Sequence, residues 1–352
     1  MRSKIKRLII IYLGTEVFSF IYKFKNLFFP FDWIKFHLPF SIKEIPYIPS
    51  LFRYEKNPSI DRLVIDCFSF FNELDLLEIR LEILSPFVDL FVLTESRVMF
   101  NGASKPLYFD QNKKRYEKFL HKIKHVILDD LPTNQKDLLP GGKFNNSNST
   151  NEIVALSTLT NSILPKENCP PNFLAEFYFK ENLLATLSEL NLPFDTLIFV
   201  SDLDEIWNPN ARFKLKNRVY LFKLRSYCYF LNVESSDRYH NWTGSICIQY
   251  SELIKVGVNN ARQHNGILRY LVYNGGWHFT AMGGVDSVKE KIQVFADEDF
   301  LDKRGRETIE SKVLNLQELR GRRIRFRVKN HNLPEYLITN ESKYQSMFRI
   351  IK

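Results

Sequence analysis

Three carboxylates directly follow a run of apolar residues in the stretch LIFVSDLDEIWNP, residues 197–209. Residues two apart in extended chain project to the same side, so Asp202 and Asp204 are expected to point together. Two carboxylates held this close repel each other unless a cation joins them, and hard oxygen ligands suit Mg²⁺ or Mn²⁺. The spacing predicts a metal that holds substrate phosphate oxygens. The alternative is that these acids cap a turn or a helix.

Strand and helix patterns alternate along the chain before these carboxylates. RLVIDCFSF from Arg62 is typical of a buried strand, NELDLLEIRLEIL of a helix and DLFVLTES of a second strand. A helix in RYEKFLHKI, a strand from His125 and a helix in FLAEFYFKENLLATLSEL follow. This order predicts an α/β sandwich with a mostly parallel central sheet. Ligands of such sheets bind beyond the carboxyl ends of the strands, which is where Asp202 is expected.

The chain after the carboxylates has a different pattern. VYLFKLRSYCYFLNV and GSICIQY indicate additional, antiparallel strands, and VDSVKEKIQVFADEDF indicates a helix. The stretch RGRRIRFRV predicts a basic strand with Arg323, Arg325 and Arg327 on one face, where they meet either an anionic ligand or only solvent. The polar stretch PGGKFNNSNSTN, residues 140–151, predicts a surface loop.

Composition restricts the class of partner. The 352 residues carry a formal net charge of +9 and include 31 phenylalanines, which indicates a basic, aromatic surface that faces a nucleotide, a phospholipid or a nucleic acid. No nucleic-acid-binding motif accompanies the charge, so nucleic acid is not expected. The four cysteines lack metal-ligand spacing, which argues against a zinc site or a disulfide framework and favours a reducing compartment.

The N-terminal segment, residues 1–60, is basic and aromatic. Its apolar run is interrupted by Glu16, which disfavours a membrane-spanning helix. Apolar residues at helical spacing, from Ile10 to Ile21, suit a helix that lies in a membrane interface. We therefore expect a cytoplasmic protein with peripheral membrane contact, the alternative being that this segment packs against the rest of the protein.

Four blocks of sequence together resemble glycosyltransferase family 17. They are DCFSFFNELDLLEIRLEIL, FVLTESRVMFNGASKPLYF, SDLDEI and GGWHFTAMGGVDSVKEKIQVFADEDF, and the resemblance extends over about residues 62–340, including LPEYLITN. It implies a GT-A-like fold in a catalytic domain at 61–340, followed by a tail at 341–352. It also implies a UDP-sugar donor, typically UDP-N-acetylglucosamine, a divalent metal, a glycan acceptor and inversion at the anomeric carbon.

The resemblance gives roles to several residues. Asp202 and Asp204 match the acidic motif that binds metal and diphosphate. Glu95 and Ser96 end the second strand beside the expected nucleotide, and Asp66 ends the first strand nearby. The alternative for Glu95 is an ion pair with Arg97 or Lys105.

The GGWHF block supplies two more candidates. Trp277 offers a flat surface on which a sugar ring stacks, and His278 is a candidate third metal ligand. The alternative is a hydrogen-bonded core histidine beside a packed tryptophan.

An inverting transfer needs a base within reach of the acceptor hydroxyl. Asp286 is the first choice, with Glu205 and Glu290 as further candidates, and each has helix capping as its alternative. Two other functions stay open: a non-catalytic glycan-binding module, and a Mg²⁺-dependent phosphatase of the haloacid dehalogenase class. That phosphatase motif normally lies on the first strand with Thr or Val where this chain has Ile206.

The sequence departs from the Golgi members of the family, which have a clear signal anchor and a lumenal stem. A microbial or viral relative is therefore expected, with a polysaccharide, lipid-linked sugar or glycoprotein acceptor, and a Golgi-type lumenal location is disfavoured.

Overall fold

Runs of β-branched and aromatic residues form the strands of a large mixed sheet, which helices cover on both faces. The computed structural model describes residues 62–132, 171–213, 219–235, 242–263, 269–294, 309–319 and 324–350. The α/β class predicted from the sequence is confirmed.

The central part of the sheet is parallel. It contains β1 (Val64–Ser69), β2 (Leu90–Ser96), β3 (Ile123–Leu128) and β4 (Leu197–Asp202), in the order β3-β2-β1-β4. Each neighbouring pair in this order runs in the same direction. These strands are apolar along most of their length because both of their faces are covered. Their carboxyl ends meet at one edge, where β1 ends at Ser69 and β4 at Asp202.

Later strands extend the sheet and reverse its direction. They are β5 (Glu205–Trp207), β6 (Val219–Cys228), β7 (Val233–Ser235), β8 (Ile246–Gln249), β9 (Arg269–Thr280) and β10 (Phe326–Val328). Strand β8 lies antiparallel between β4 and β6, as predicted for the GSICIQY segment. Strand β9 runs parallel to β6 and antiparallel to β5, so it brings the GGWHF block next to the carboxylate motif.

The helices are mostly short. They are α1 (Leu74–Leu84), α2 (Tyr108–Gln111), α3 (Pro171–Glu181), α4 (Leu183–Glu189), α5 (Tyr250–Val256), α6 (Val258–Arg262), α7 (Gly284–Val294), α8 (Ile309–Leu314) and α9 (Glu335–Thr339). The predicted helix in RYEKFLHKI is a 3-10 segment, Lys113–Lys122, and a second one covers Glu341–Met347. The long helix expected before β4 is divided at Asn182 into α3 and α4.

Two apolar clusters form on opposite faces of the sheet. Val64 and Phe68 of β1 pack with α1, whereas Ile65 and Cys67 pack on the other face with α4 and α5. Successive side chains of a strand alternate between the faces of a sheet. Asp66 is thereby directed toward α1.

Several predicted features lie outside the described residues, including the N-terminal segment 1–60, the polar loop at 140–151 and Arg323. The strand predicted in RGRRIRFRV is reduced to β10, which begins after Arg325. Among the residues that the structure describes, no helix combines the length and the apolar character needed to span a bilayer.

Candidate active site

The carboxylate motif forms a tight turn between β4 and β5. Strand β4 ends at Asp202, residues 203 and 204 make the turn, and Glu205 opens β5. The extended geometry assumed in the sequence prediction is therefore absent, because the turn interrupts the alternation of side chains. Asp202 and Asp204 have different partners on different strands and helices, and the mutual repulsion expected of them is offset by nearby cations.

Asp202 is held by two basic side chains. The Arg262 guanidinium donates to both carboxylate oxygens, at 2.9 and 3.2 Å, and Lys180 Nζ lies 3.6 Å from Oδ1. Burial by itself would raise the pKa of Asp202, but the positive charges of Arg262 and Lys180 hold this pKa well below its ordinary value. Ser69 Oγ completes the contacts at 3.3 Å. Asp202 is therefore a charged group with cations as its neighbours.

Asp204 faces His278. The imidazole Nε2 lies 3.7 Å from Asp204 Oδ1, and both side chains are largely buried. Pairing of β5 with β9 fixes this approach, since Glu205 lies opposite His278 and Phe279 N donates to Asp204 O at 2.8 Å. The sequence prediction that His278 lies beside the carboxylate motif agrees with this placement.

Gly276 allows β9 to approach β5 this closely. Its φ is +140°, and a Cβ built there would lie 2.1 Å from the Ile206 carbonyl oxygen, well inside van der Waals contact. Any other residue would strain the backbone and separate the two strands.

Trp242 is a part of the site that the sequence did not predict. Its ring stacks on His278 at 4.8 Å between centroids, and its indole N–H donates to Glu205. The side chain is nevertheless 46% exposed. An exposed tryptophan beside a carboxylate cluster offers the flat apolar surface that was predicted at Trp277.

Trp277 points away from this cluster. Adjacent residues of a strand face opposite ways, and Trp277 packs against the core on the α1 face. Its indole N–H donates to Asn332 O at 2.7 Å. The prediction that Trp277 stacks on a sugar is not supported by this placement.

Glu205 is fully buried beneath the turn. Its carboxylate accepts hydrogen bonds from Asp202 N (3.1 Å), Arg262 Nη2 (3.2 Å), Ser245 Oγ (3.4 Å) and the Trp242 indole. Burial raises the pKa of Glu205, with the nearby charge of Arg262 opposing that shift. With these donors around it, Glu205 is a poorly accessible base.

A buried arginine from α1 holds the turn from below. Arg80 donates through Nε (2.8 Å) and Nη2 (2.7 Å) to the two oxygens of Asp66, and through Nη2 to Ser201 Oγ at 2.6 Å. Its Nη1 donates to the backbone oxygens of Asp202 (3.2 Å), Leu203 (3.1 Å) and Glu205 (3.0 Å). The guanidinium thereby connects α1 to the whole carboxylate motif.

Asp66 belongs to this internal network. It is fully buried, and Trp207 Nε1 donates to it at 3.0 Å in addition to Arg80. The sequence prediction that Asp66 contacts a nucleotide is not supported, because its oxygens are occupied and face α1.

Glu95 and Ser96 are buried at the end of β2. Glu95 lies 3.4 Å from Lys105 Nζ and 3.1 Å from His125 Nε2, so the ion-pair alternative named for it is the one observed. Ser96 Oγ accepts from Val98 N at 3.1 Å. Neither residue has a free polar group aimed at the turn.

The remaining base candidates lie on α7. Asp286 is exposed in the first turn of this helix, where a carboxylate is favourably placed against the helix dipole. The backbone of Glu290 is part of α7, and its side chain lies outside the described residues. A role for either as a base stays a prediction.

A cleft opens at the carboxyl ends of β1, β2 and β4, beside α3 and α6. Its polar lining consists of Ser69, Thr94, Lys180, Ser201, Asp202 and Arg262, and Phe179 contributes an aromatic wall. The enclosed space is about 20 Å³, room for little more than one water molecule, so these side chains line a shallow, open cleft.

Two side chains near the turn offer donor atoms of the kind that bind a divalent cation. Asp204 and His278 offer a carboxylate oxygen and an imidazole nitrogen a few ångströms apart, and Mg²⁺ and Mn²⁺ are commonly bound by one or two carboxylates plus substrate phosphates. Within the described ranges, no three such side chains converge as a complete metal site. Asp202 is the residue that would complete it.

Lys180 and Arg262 were missed by sequence reasoning, as was Trp242. The two basic residues lie at the ends of helices with ordinary composition, so no local motif marks them. Only the packing of α3 and α6 over β4 brings their charges to Asp202.

Part of the chain matches a family of known glycosyltransferases. Residues 30–164 match the model of glycosyltransferase family 17, a segment that ends before the turn with Asp202. The β-1,4-mannosyl-glycoprotein 4-β-N-acetylglucosaminyltransferase of Rattus norvegicus is 31% identical over 106 residues, covering 27% of this chain and 18% of that protein. The Homo sapiens protein of the same name is 31% identical over 106 residues, covering 27% of this chain and 19% of its own.

The chain thus spans less than a fifth of the length of these relatives. Both they and the matching family are glycosyltransferases by name. The resemblance to glycosyltransferase family 17, predicted from blocks of the sequence, is thereby confirmed over residues 30–164.

Proposed function

We propose that the protein is a metal-dependent, inverting glycosyltransferase that moves a sugar, N-acetylglucosamine in the first instance, from a UDP-sugar to a glycan hydroxyl. The observation that carries this proposal is the pairing of Asp204 with His278, two residues along the chain from Asp202, which lines a polar cleft at the carboxyl ends of parallel strands. The family match and the names of the relatives support the reaction class. The strand order β3-β2-β1-β4 with the antiparallel β8 beside it supports a GT-A-like arrangement.

In this proposal Asp204 and His278 hold Mn²⁺ or Mg²⁺, and Asp202 joins them when the donor is bound. A bound divalent cation offsets the negative charge that develops on the departing diphosphate. The diphosphate lies against the polar residues at the mouth of the cleft, and exposed Trp242 offers its ring to the sugar.

Asp286 is proposed as the base because it is exposed, whereas Glu205 is buried among donors. It takes the proton of the acceptor hydroxyl as that oxygen bonds to the anomeric carbon. The bond from this carbon to the UDP oxygen breaks on the opposite side, and its electron pair leaves with UDP. The configuration at the anomeric carbon is thereby inverted.

The test is release of UDP from UDP-N-acetylglucosamine by the full-length protein with Mn²⁺, with slow hydrolysis serving where no acceptor is supplied. We expect release that EDTA stops and that Asp204→Asn lowers about a hundredfold. Arg115→Gln, a change at an ion pair outside the cleft lining, should keep full activity. If common UDP-sugars were neither bound nor turned over, the proposal would fail and a glycan-binding module would be favoured.

A further inference from the structure

One carboxylate of the proposed metal site, that of Asp202, is paired with a basic side chain instead of with the other proposed metal ligands. Arg262 contacts both oxygens of Asp202, at 2.9 and 3.2 Å, so the carboxylate is occupied by a fork of two N–H donors. Asp204 and His278 lie together, with His278 Nε2 3.7 Å from Asp204 Oδ1. A cation bound by these two residues gains Asp202 as a ligand only if the contact with Arg262 is released.

The two basic side chains are held in place independently of Asp202. Lys180 and Glu181 are adjacent at the end of α3, and the buried Glu181 carboxylate accepts from Val258 N (3.1 Å) and Asn259 N (2.9 Å) at the start of α6. Asn259 Nδ2 adds a third bond at 2.7 Å. This link fixes α3 to α6, the helix that ends at Arg262. Lys180 Nζ also donates to Glu176 Oε1 at 2.6 Å, and Arg262 Nη2 donates to Glu205 Oε2 at 3.2 Å, so both cations keep a partner at the cleft without Asp202.

A diphosphate has the chemistry to replace Asp202 at these cations. Guanidinium groups bind phosphate oxygens in the same two-point geometry that they use for carboxylates, and an ammonium adds a point charge. Lys180, Arg262 and the hydroxyls of Ser69 and Thr94 all line the cleft. An anion entering there meets two cations and two hydroxyl donors.

We propose that Asp202 exchanges partners during donor binding: the diphosphate takes Arg262 and Lys180, and the released Asp202 joins Asp204 and His278 on the metal. This inference rests on the proposed function and specifies how its substrate is recognised. A metal alone would add positive charge beside Arg262 and Lys180, whereas a diphosphate alone would add negative charge beside Asp202 and Asp204. Each ligand therefore favours binding of the other, and this coupling is reciprocal.

The test is calorimetric titration of the full-length protein with Mn²⁺ alone, with UDP alone and with UDP in the presence of Mn²⁺. In the wild type, Mn²⁺ should tighten UDP binding by about tenfold or more. Arg262→Gln should have effects of opposite sign: UDP binds about tenfold more weakly, because a phosphate ligand is lost, and Mn²⁺ alone binds several-fold more tightly, because Asp202 has lost the partner that contacts both of its oxygens. The matched control is Arg115→Gln, since Arg115 also pairs with two carboxylates, Asp75 and Glu78.

The outcomes separate the two proposals. If wild type bound neither Mn²⁺ nor UDP, both the function and the exchange would be refuted. If wild type bound both, and Arg262→Gln weakened Mn²⁺ binding or left it unchanged, only the exchange would be refuted, since Arg262 would then merely support the site. Lys180→Met provides a second variant with the same expected signs, should thermal melting show that Arg262→Gln does not fold.

Discussion

Two aspartates that look equivalent in the sequence have different surroundings in the fold. Asp202 keeps 34% of its side chain exposed and faces Arg262 and Lys180, whereas Asp204 is largely buried and faces His278. Removing either charge removes a proposed metal ligand. Only at Asp202 does the removal also take one carboxylate partner away from two cations, Arg262 and Lys180.

Substitution of the two aspartates should therefore have different effects on stability and the same effect on metal-dependent binding. Asp204→Asn should leave the melting temperature nearly unchanged, whereas Asp202→Asn should lower the free energy of unfolding by about 1–3 kcal/mol, less than for a fully buried ion pair because the group is partly exposed. Both variants should lose Mn²⁺-dependent UDP binding. Urea unfolding and calorimetry measure the two effects.

The difference in the free energy of unfolding between the wild type and Asp202→Asn should depend on pH. Burial favours the neutral acid, but Arg262 and Lys180 outweigh it and lower the folded-state pKa below the unfolded value of about 3.9. Such a group stabilises the fold above that unfolded value, and the contribution is lost as pH falls through the folded-state pKa. The gap between wild type and Asp202→Asn should narrow below about pH 4, and a gap that widened there would contradict the ion-pair explanation.

At the scale of elements, the sequence predicted the strands and helices better than the contacts between them. The strand–helix–strand unit from residue 62 and the strand before Asp202 follow from apolar periodicity and were predicted correctly. The pairing of Arg80 with Asp66 was not predicted, because a charged residue on a helix usually faces solvent. The opposite orientations of Trp277 and His278 were missed because β9 was not recognised as a strand.

Arg80 gives helix α1 a direct effect on the carboxylate turn. Arg80→Lys keeps the charge but loses the planar fork that reaches Asp66, Ser201 and the turn carbonyls together. We expect a loss of about 3 kcal/mol in the free energy of unfolding, together with weaker Mn²⁺ binding by the protein that remains folded. Arg115 lies outside α1 but forms a partly exposed ion pair with Glu78 of this helix. Arg115→Lys should lower the free energy of unfolding by less than about 1 kcal/mol.

Chemical denaturation and Mn²⁺ titration of both variants test this assignment. Equal stability of Arg80→Lys and wild type would show that the buried guanidinium does not hold the turn.

At the scale of the whole molecule, the C-terminal residues contact elements that are distant from one another in the sequence. Lys343 binds Glu78 of α1 at 2.5 Å, and the buried Tyr344 packs with the α1-face core. Asn332 donates to Glu234 of β7 at 3.2 Å and accepts from Trp277 on β9. The residues predicted as a tail, 341–352, thus begin with a segment that is packed against the core.

These contacts predict that acid loosens the C-terminal segment first. Burial would raise the pKa of Glu78 and of Glu234, but hydrogen bonds from Lys343 and Arg115, and from Asn332, Arg225 and Lys329, lower both values. Their stabilising effect is complete above the ordinary glutamate pKa of about 4.3 and is lost as pH falls through the lowered values. Hydrogen-exchange protection of residues 324–350, taken relative to the intrinsic exchange rate at each pH, should therefore fall below about pH 4 more than protection in β1 and β4.

Lys343→Met supplies the control, because it removes at every pH the contact that joins Glu78 to the C-terminal segment. In this variant the segment should exchange faster already at pH 7, and its further response to acid should be smaller. A uniform acceleration across the sheet would instead indicate global acid unfolding.

The closeness of β9 to β5 at Gly276 has a consequence for the ion selectivity of the proposed metal site. The backbone contact between these two strands, rather than the side chains themselves, sets the distance between the Asp204 oxygen and the His278 nitrogen. Mg²⁺ demands bonds of about 2.0–2.1 Å in near-ideal octahedral geometry, whereas larger ions tolerate longer and less regular ones. A single methyl group at residue 276 would separate the two strands and widen this distance with every proposed ligand intact, so a residue without a side chain would determine the ionic radius that the proposed metal site tolerates.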